Sequence, residues 1–323
     1  MNQLTPTGAE VALGEVVFGA MTFGSQVDEA EAADMVAACR DAGITMFDTA
    51  NSYNGGASEE ILGRAVKPFR DEVTIATKVG NPVREDGVAV AGLSRTAIRA
   101  AVHGSLRRLG TDRIDVYYLH RPDRDTPILE SLEALDELVR EGKVGHTAQS
   151  NYAAWQITEM RCLAERNGWS RMGISQPMYN LLARRVEAEY AACSERLGLT
   201  NIVYNPLAGG LLTGKHRLGA RSTNGTRFLQ QTYRDRYWNA AQFHAVERLR
   251  DQADLAGLTL VELSLRWLLG RPLVDAVLLG ASSLEQLRAN LDALDGPPLD
   301  DDTLAACDDV WAGLEGAAPH YNR

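Results

Sequence analysis

The chain has 323 residues, a length close to that of one α/β barrel with insertions and sufficient to bury a large core. Its 45% hydrophobic and 24% charged residues are ordinary globular values, and its net charge of -10 argues against nucleic-acid binding, which needs a basic face. Four scattered cysteines, no apolar run of membrane-spanning length and no signal-peptide pattern predict reduced thiols and a cytoplasmic protein with no membrane or nucleic-acid partner.

Short apolar segments alternate with amphipathic helical patterns along the chain. Asp28 and Ser94 are predicted to cap two of these helices, which end at Gly43 and Gly110. Strands separated by helices favour parallel pairing. Eight strands are predicted, at Val16–Ala20, Met46–Ala50, Val73–Val79, Asp115–His120, Gly145–Ser150, Ile174–Tyr179, Asn201–Asn205 and Ala276–Gly280.

Eight strand-helix units indicate an α/β fold, a closed (β/α)8 TIM barrel formed by residues 1–323 as a single domain. The alternative is an open doubly wound sheet, which usually has fewer strands. Residues 214–240, after the seventh strand, are polar, basic and aromatic and carry no strand pattern. A long insertion of this kind is usually functional, and in a barrel it belongs at the C-terminal face.

Four polar residues lie where successive predicted strands end: Asp48, Tyr53, Lys78 and His120. Because catalytic residues of a barrel occupy the C-terminal ends of its strands, these side chains are predicted to converge. Reduction of a carbonyl by hydride needs a proton donor, for which Tyr53 is suited if the Lys78 ammonium lowers its pKa. Asp48 would hold the lysine charged, and His120 would donate a hydrogen bond to the carbonyl.

Each of these residues, taken singly, has a structural explanation that is more common than a catalytic one. A lysine at a strand end often forms an internal salt bridge, and a lone histidine or tyrosine is often a core residue. All four at consecutive strand ends are hard to explain in that way, and the set as a whole favours a catalytic site.

The sequence argues against a dinucleotide site of the Rossmann type, since no G-x-G-x-x-G follows a strand, and the chain has no P-loop. The loop YNPLAGGLLTGK offers instead Gly209, Gly210 and Gly214 for close approach to a pyrophosphate, and Lys215 for charge. After the eighth strand, Ser282 or Ser283 begins a helix whose N-terminus suits a phosphate.

The segments MFDTANSYNGG, TK and YLH, with Asp48, Tyr53, Lys78 and His120 in order, resemble the catalytic tetrad of the aldo-keto reductases. The resemblance covers nearly the whole chain and is closest to the subfamily that reduces aflatoxin dialdehyde and succinic semialdehyde, as in QPMYNLLARRVE and TYRDRYW. It implies reduction of aldehydes or ketones to alcohols with NADPH, with the proton from Tyr53, and a homodimer.

The same resemblance implies roles for individual cofactor-binding residues. Ser150, Asn151 and Gln176 would hold the nicotinamide carboxamide, Tyr204 would stack on its ring, and Arg227 would approach the adenosine phosphate. The further contacts would come from Asn205, Leu207, Gly209, Gly210, Leu211, Gly214, Lys215, Gly280, Ser282, Gln286 and Asn290.

Two departures from the family pattern stand out. Ala148-Gln149 replaces the usual Gly-x before Ser150, which predicts a differently shaped turn, and GASSLEQLRAN lacks the Lys and Arg that many relatives place near the 2′-phosphate. The preference for NADPH over NADH therefore rests on the resemblance alone.

The substrate pocket is expected to contain Met21, Tyr233, Arg236 and Arg323, again by resemblance. Two guanidinium groups would favour an aldehyde that carries a carboxylate, such as succinic semialdehyde. The alternative is that both arginines pair with surface carboxylates.

Several rival functions remain open at this stage. The same family includes potassium-channel β subunits, which have regulatory roles, and a Schiff-base aldolase with Lys78 as nucleophile would use the same barrel. A short-chain dehydrogenase is weaker, because no Tyr-x-x-x-Lys occurs, and a metal hydrolase is weaker still, because the six histidines show no ligand spacing.

Overall fold

The centre of the molecule is a closed barrel of eight parallel strands. The structure is a computed structural model that describes residues 2–4, 11–219 and 226–317. The barrel strands are β1 (Val16–Gly19), β2 (Met46–Asp48), β3 (Thr74–Val79), β4 (Ile114–Leu119), β5 (Val144–Ser150), β6 (Ile174–Gln176), β7 (Thr200–Val203) and β8 (Ala276–Gly280).

The strands pair in chain order and β8 closes onto β1, so the fold is a (β/α)8 TIM barrel and the open-sheet alternative is wrong. All eight predicted strands are confirmed, although several end earlier than expected. β2 stops at Asp48 rather than Ala50, and β6 stops at Gln176 rather than Tyr179. The residues beyond these ends leave the sheet and form the C-terminal rim.

Helices surround the barrel and cover its outer face. Asp28 and Ser94 cap α1 and α3 as predicted, each accepting a hydrogen bond from the backbone three residues on. The helices are α1 (Glu29–Asp41), α2 (Ala57–Val66), α3 (Arg95–Leu109), α4 (Ile128–Arg140), α5 (Ala154–Asn167), α6 (Tyr190–Leu197), α7 (Gln231–Tyr237), α8 (Ala240–Leu255), α9 (Leu260–Leu269), α10 (Leu284–Asp292) and α11 (Asp301–Glu315). None of them, over the described parts of the chain, combines the length and apolarity that crossing a bilayer requires.

Two apolar cores result from the alternation of side chains along the strands. Residues such as Val17, Met46 and Val116 point into the barrel and fill it, and Leu13 packs beneath them. Neighbours on the opposite face, such as Phe18 and Phe47, join the larger core between barrel and helices. The interior of the barrel is therefore filled with apolar side chains.

Two antiparallel hairpins lie outside the barrel and were not predicted. One joins Asn2–Leu4 to Val11–Leu13, and the other joins Val83–Glu85 to Val88–Val90. The second turns at Asp86 and Gly87, both with positive φ, which is the geometry of a two-residue type I′ turn.

The insertion after β7 follows the barrel rim and has no strand in its described residues. A 3-10 turn at Ala208–Thr213 precedes it, and it contains a second 3-10 turn at Arg227–Leu229, followed by α7. Phe228 and Tyr237 are almost fully buried.

Candidate active site

The four predicted catalytic residues meet at the C-terminal rim of the barrel. Asp48 is the last residue of β2, Tyr53 begins the 3-10 turn that follows, Lys78 lies in β3 and His120 follows β4. Strand register explains the convergence: Asp48 pairs with Ala76, two residues before Lys78 on the same face of β3. Lys78 in turn pairs with Tyr118, two residues before His120.

Asp48 and Lys78 form a buried ion pair. The Lys78 ammonium donates to Asp48 Oδ1 and, at 2.8 Å, to the Thr49 carbonyl, while Gln176 Nε2 donates to Asp48 Oδ2 at 3.0 Å. Burial disfavours both charges, so it raises the pKa of Asp48 and lowers the pKa of Lys78, and their mutual attraction opposes both shifts. Each charge is thus compensated by its partner.

Tyr53 lies above this pair and beside His120. Lys78 Nζ is 5.3 Å from the centroid of the Tyr53 ring, and the Tyr53 and His120 rings meet edge to face with centroids 5.8 Å apart. Burial raises the pKa of the Tyr53 phenol, with further contributions from Asp48 and Tyr233, while Arg227 opposes the shift. The net shift is therefore opposite to the lowering predicted from Lys78, because burial, the largest cause, disfavours the phenolate.

His120 is held as a neutral imidazole. Burial, Lys78 and Arg121 lower the pKa of His120 to about 3. Its Nδ1 lies 3.1 Å from the side-chain nitrogen of Asn81. The sequence analysis did not select Asn81, although a polar residue directly after Gly80 at the end of β3 satisfies the same strand-end rule.

A cavity of about 570 Å³ opens at this rim, and Asp48, Tyr53 and His120 line it. Lys78 does not line it and lies behind Asp48. The cavity lining also includes most of the residues predicted to bind cofactor: Ser150, Asn151, Gln176, Tyr204, Asn205, Leu207, Gly209, Gly210, Lys215, Arg227, Gly280, Ser282 and Gln286.

Three predicted cofactor residues lie away from the cavity lining. Leu211 and Asn290 are buried, the first in the apolar core, and Gly214 packs near the Arg250 guanidinium. Their side chains or Cα atoms face the protein because the 3-10 turn at Ala208–Thr213 and α10 each present only one face to the cavity. Contact between these three residues and a cofactor stays a prediction.

The predicted carboxamide-binding residues form one hydrogen-bonded group. Asn151 has φ of 66°, and its Nδ2 donates to the His120 carbonyl at 2.9 Å. Its Oδ1 accepts from the Tyr204 hydroxyl at 2.6 Å, and Ser150 Oγ donates to the Gln176 carbonyl at 2.8 Å. β5 includes Ala148 and Gln149 and continues through Ser150, and the backbone turns at Asn151; a turn shaped differently from that of relatives stays a prediction.

The glycines after β7 are required by their backbone and by close packing. Gly209 and Gly210 have φ of 68° and 100°, values that L side chains rarely adopt. A Cβ at Gly209 would lie 2.7 Å from Tyr233 Cδ1. This close approach places Tyr233 of α7 against the glycine turn and narrows the cavity there.

The start of α10 and Arg227 form the far end of the cavity. Ser283 caps the helix by accepting from Gln286 N at 3.1 Å, and Ser282 Oγ lies 2.8 Å from Gln286 Oε1. A Cβ at Gly280 would approach Arg227 Nη2 to 3.3 Å, so the guanidinium lies directly over the end of β8. The N–H groups of Ser282 and Leu284 are bonded to the side chains of Gln286 and Glu31, so the guanidinium of Arg227 is the group at this end that suits a phosphate.

Three of the residues predicted to contact substrate also line the cavity. Met21, Tyr233 and Arg236 line the cavity, and the Arg236 guanidinium carbon is 5.9 Å from the Tyr233 ring centroid. The charge of Arg236 also opposes the rise that burial causes in the pKa of Tyr204. Within the described residues no carboxylate pairs with Arg236. Arg323 lies outside the described residues.

A (β/α)8 barrel with an acid, a phenol, an ammonium and an imidazole at the rim of a cavity is the arrangement of a barrel oxidoreductase. The family model described as "Aldo/keto reductase family" matches residues 15–312, and the chain belongs to this family. The resemblance stated from the sequence is therefore confirmed.

Curated relatives cover almost the full chain. The rat protein "Aflatoxin B1 aldehyde reductase member 2" is 36% identical over 98% of this chain and 89% of its own length. The human "Aldo-keto reductase family 7 member A3" is 35% identical over 95% of this chain and 96% of its own. A "Probable voltage-gated potassium channel subunit beta" of Arabidopsis thaliana is 36% identical over 87% and 88%, respectively.

Proposed function

We propose that the chain reduces small aldehydes to alcohols with NADPH, and that Tyr53 supplies the proton. The observation that carries the proposal is the position of Tyr53 and His120, edge to face at the cavity wall, with the Asp48–Lys78 pair directly behind them. The relatives named as aldehyde reductases support the reaction class.

The cavity has features that fit a phosphorylated dinucleotide. Its volume of about 570 Å³ lies in the usual range for small-molecule sites. At one end it offers Lys215 and Arg227, and at the other the amides of Asn151 and Gln176. NADPH bound there would supply the hydride. Arg227, beside Gly280, is the residue best placed to favour the extra phosphate of NADPH over NADH.

Side chains of the protein would donate the proton, stabilise the phenolate and bind the carbonyl oxygen. Because the pKa of Tyr53 is raised, the phenol is protonated at neutral pH and can donate to the developing alkoxide. The phenolate left behind would be stabilised by the ammonium of Lys78, whose charge Asp48 maintains. Neutral His120 can donate a hydrogen bond to the carbonyl without adding a charge to the site.

The single test of the reaction is Tyr53→Phe, measured as NADPH oxidation against a panel of aldehydes. Removal of one hydroxyl should lower kcat by about 10²- to 10⁴-fold, the usual contribution of a general acid. Binding of NADPH, followed by quenching of protein fluorescence, should remain unchanged because the hydroxyl is not needed to hold the cofactor. A variant that retains wild-type turnover would refute Tyr53 as the donor.

The substrate is proposed to be an aldehyde that carries an anion, such as succinic semialdehyde, with dialdehydes as a second class. Arg236 lines the cavity near Tyr204 and Tyr233 and forms no ion pair with a described carboxylate. A guanidinium in this state can bind a carboxylate on the substrate by charge-assisted hydrogen bonds.

Arg236→Ala tests this preference. The ratio of kcat/KM for succinic semialdehyde to that for pentanal, a neutral aldehyde, should fall by about 10- to 100-fold, the effect of one hydrogen bond to a charged group. Arg234→Ala is the matched control, because Arg234 lies on the same helix, is exposed and does not line the cavity. An equal fall of this ratio in both variants would show that Arg236 acts only as a general surface charge. Arg323→Ala tests the second arginine.

A regulatory role with little turnover is the alternative, suggested by the relative named as a channel β subunit. Tight NADPH binding without oxidation by any aldehyde of the panel would favour that alternative.

A further inference from the structure

Asn81 bridges two walls of the cavity beside His120. Its Nδ2 lies 3.1 Å from His120 Nδ1 and 3.4 Å from Ser52 Oγ, and its side chain is part of the cavity lining. Asn81 follows β3, Ser52 precedes Tyr53, and His120 follows β4, so one amide connects three successive loops of the rim.

The contact has a direct chemical consequence for the imidazole. A neutral histidine carries one proton, and the hydrogen bond made by one ring nitrogen decides which nitrogen holds it. If the Asn81 amide donates to Nδ1, then Nδ1 is the acceptor and the proton resides on Nε2. Only a ring protonated at Nε2 can donate from that atom to a carbonyl oxygen, since an unprotonated Nε2 would repel the oxygen lone pairs.

We propose that Asn81 is a positioning residue that fixes His120 in the tautomer protonated at Nε2 and so sets its capacity to donate to the substrate carbonyl. The inference rests on the proposed function, in which His120 orients the carbonyl. Asn81 acts through His120 and takes no part in proton transfer itself.

The other groups around the His120 ring do not select its tautomer. The charged groups that face the ring are Lys78 and Arg121, both cationic, and its aromatic neighbour is Tyr53. Two cations disfavour an imidazolium but do not choose between the neutral tautomers. The backbone carbonyl of His120 accepts from Asn151 Nδ2, which holds the main chain and leaves the ring to be oriented by Asn81.

The experiment compares Asn81→Asp and Asn81→Leu with the wild-type protein. In Asn81→Asp, a carboxylate accepts from Nδ1–H, which stabilises the imidazolium and raises the pKa of His120 towards neutrality. Below that pKa both nitrogens carry protons and Nε2 still donates. Above it, the remaining proton stays on Nδ1, next to the carboxylate. Reduction by Asn81→Asp should therefore fall by about tenfold or more as the pH rises from 5 to 9, the effect of one lost hydrogen bond, whereas the wild-type profile stays flat.

Asn81→Leu removes the amide and adds no charge. We expect kcat to fall by about tenfold at all pH values, as the loss of one hydrogen bond predicts, with KM for NADPH unchanged. ¹⁵N NMR of His120 reads the tautomer directly: a single form protonated at Nε2 in the wild-type protein, a mixture in Asn81→Leu, and protonation at Nδ1 in Asn81→Asp at high pH.

The outcomes separate this inference from the proposed function. If Tyr53→Phe abolishes reduction but both Asn81 variants keep the wild-type tautomer and pH profile, then Asn81 has no positioning role. If Tyr53→Phe keeps full turnover, the proposed reaction fails, while the NMR signals still report whether Asn81 sets the tautomer. A wild-type signal from protonation at Nδ1 would overturn the inference outright.

Discussion

Two groups of buried charges lie back to back across strand β3. Lys78 points into the barrel and pairs with Asp48 at the cavity. Its neighbour Thr77 points outward and donates to Glu59 Oε1 at 2.6 Å. Glu59 and Glu85 then share Arg108, which donates to them at 2.6 and 2.7 Å.

The two groups have similar burial and opposite relations to the cavity. The side chains of Asp48 and Lys78 are 2% and 1% exposed, and those of Glu59 and Glu85 are 0% and 6% exposed. Asp48 lines the cavity, whereas none of Thr77, Glu59 and Arg108 does. Burial of a charge therefore does not identify a catalytic group. The face of the strand from which it projects decides whether the charge reaches substrate or ties helices to the sheet.

Among the tests of this contrast, Lys78→Met is expected to have the largest effect. Without the ammonium, the Tyr53 phenolate loses its stabilising charge, and kcat should fall by about 10²- to 10⁴-fold. Steady-state reduction of an aldehyde measures this loss. The double variant Asp48→Leu/Lys78→Met is the control: it removes the uncompensated carboxylate and should regain thermal stability, yet remain inactive. Recovery of activity in the double variant would mean that the pair serves stability alone.

Arg108→Met is expected to act on stability instead. It leaves the carboxylates of Glu59 and Glu85 buried without a cation, which should lower the free energy of unfolding by about 3–5 kcal/mol. Urea denaturation measures the loss, and kcat of the folded protein at low temperature should be nearly unchanged. Arg107→Met is the matched control on the same helix, since the Arg107 and Asp86 side chains are 54% and 79% exposed. It should shift stability by less than about 1 kcal/mol.

The smallest effect is expected from pH between 5 and 9. His120, with a pKa of about 3, gains a proton only as the pH falls far below this window. Tyr53, whose pKa is raised above its ordinary value near 10, loses its proton only above the window. Both groups keep their working forms, so kcat/KM for reduction should be flat. A histidine-like inflection near pH 6.5 would show that the imidazole at the rim is not neutral.

The strand pattern and the strand-end rule were sufficient to predict the barrel and the convergence of Asp48, Tyr53, Lys78 and His120. The alternation of strand and helix patterns is a local property of the sequence. Closure of the barrel then fixes which strand ends meet. The hairpin at Asp86-Gly87 was overlooked although its turn signal is present in the sequence. Asn81 was not predicted either, because its role depends on its contact with the His120 ring, which no local pattern contains.

Other features depend on packing that no local pattern contains. The direction of the Tyr53 pKa follows from burial and from the pairing of Lys78 with Asp48, which are known only once the rim is assembled. Leu211 and Asn290 occur in segments that do reach the cavity, but their side chains face inward. A segment can be assigned to a site from sequence, whereas the orientation of each side chain requires the three-dimensional neighbours.

Within its seven residues, helix α7 contains both a residue that anchors it and residues that face the cavity. Its last residue, Tyr237, is fixed by Asn180 and Asn205, whose amides donate to the tyrosine oxygen at 3.1 and 2.8 Å. Tyr233 and Arg236 of the same helix face the cavity. Because Tyr237 holds the helix and does not line the cavity, we expect substitutions at Tyr233 and Arg236 to leave α7 in place. Replacement of its cavity-facing positions offers a route to new aldehyde preferences that leaves the proton-transfer apparatus of the barrel intact.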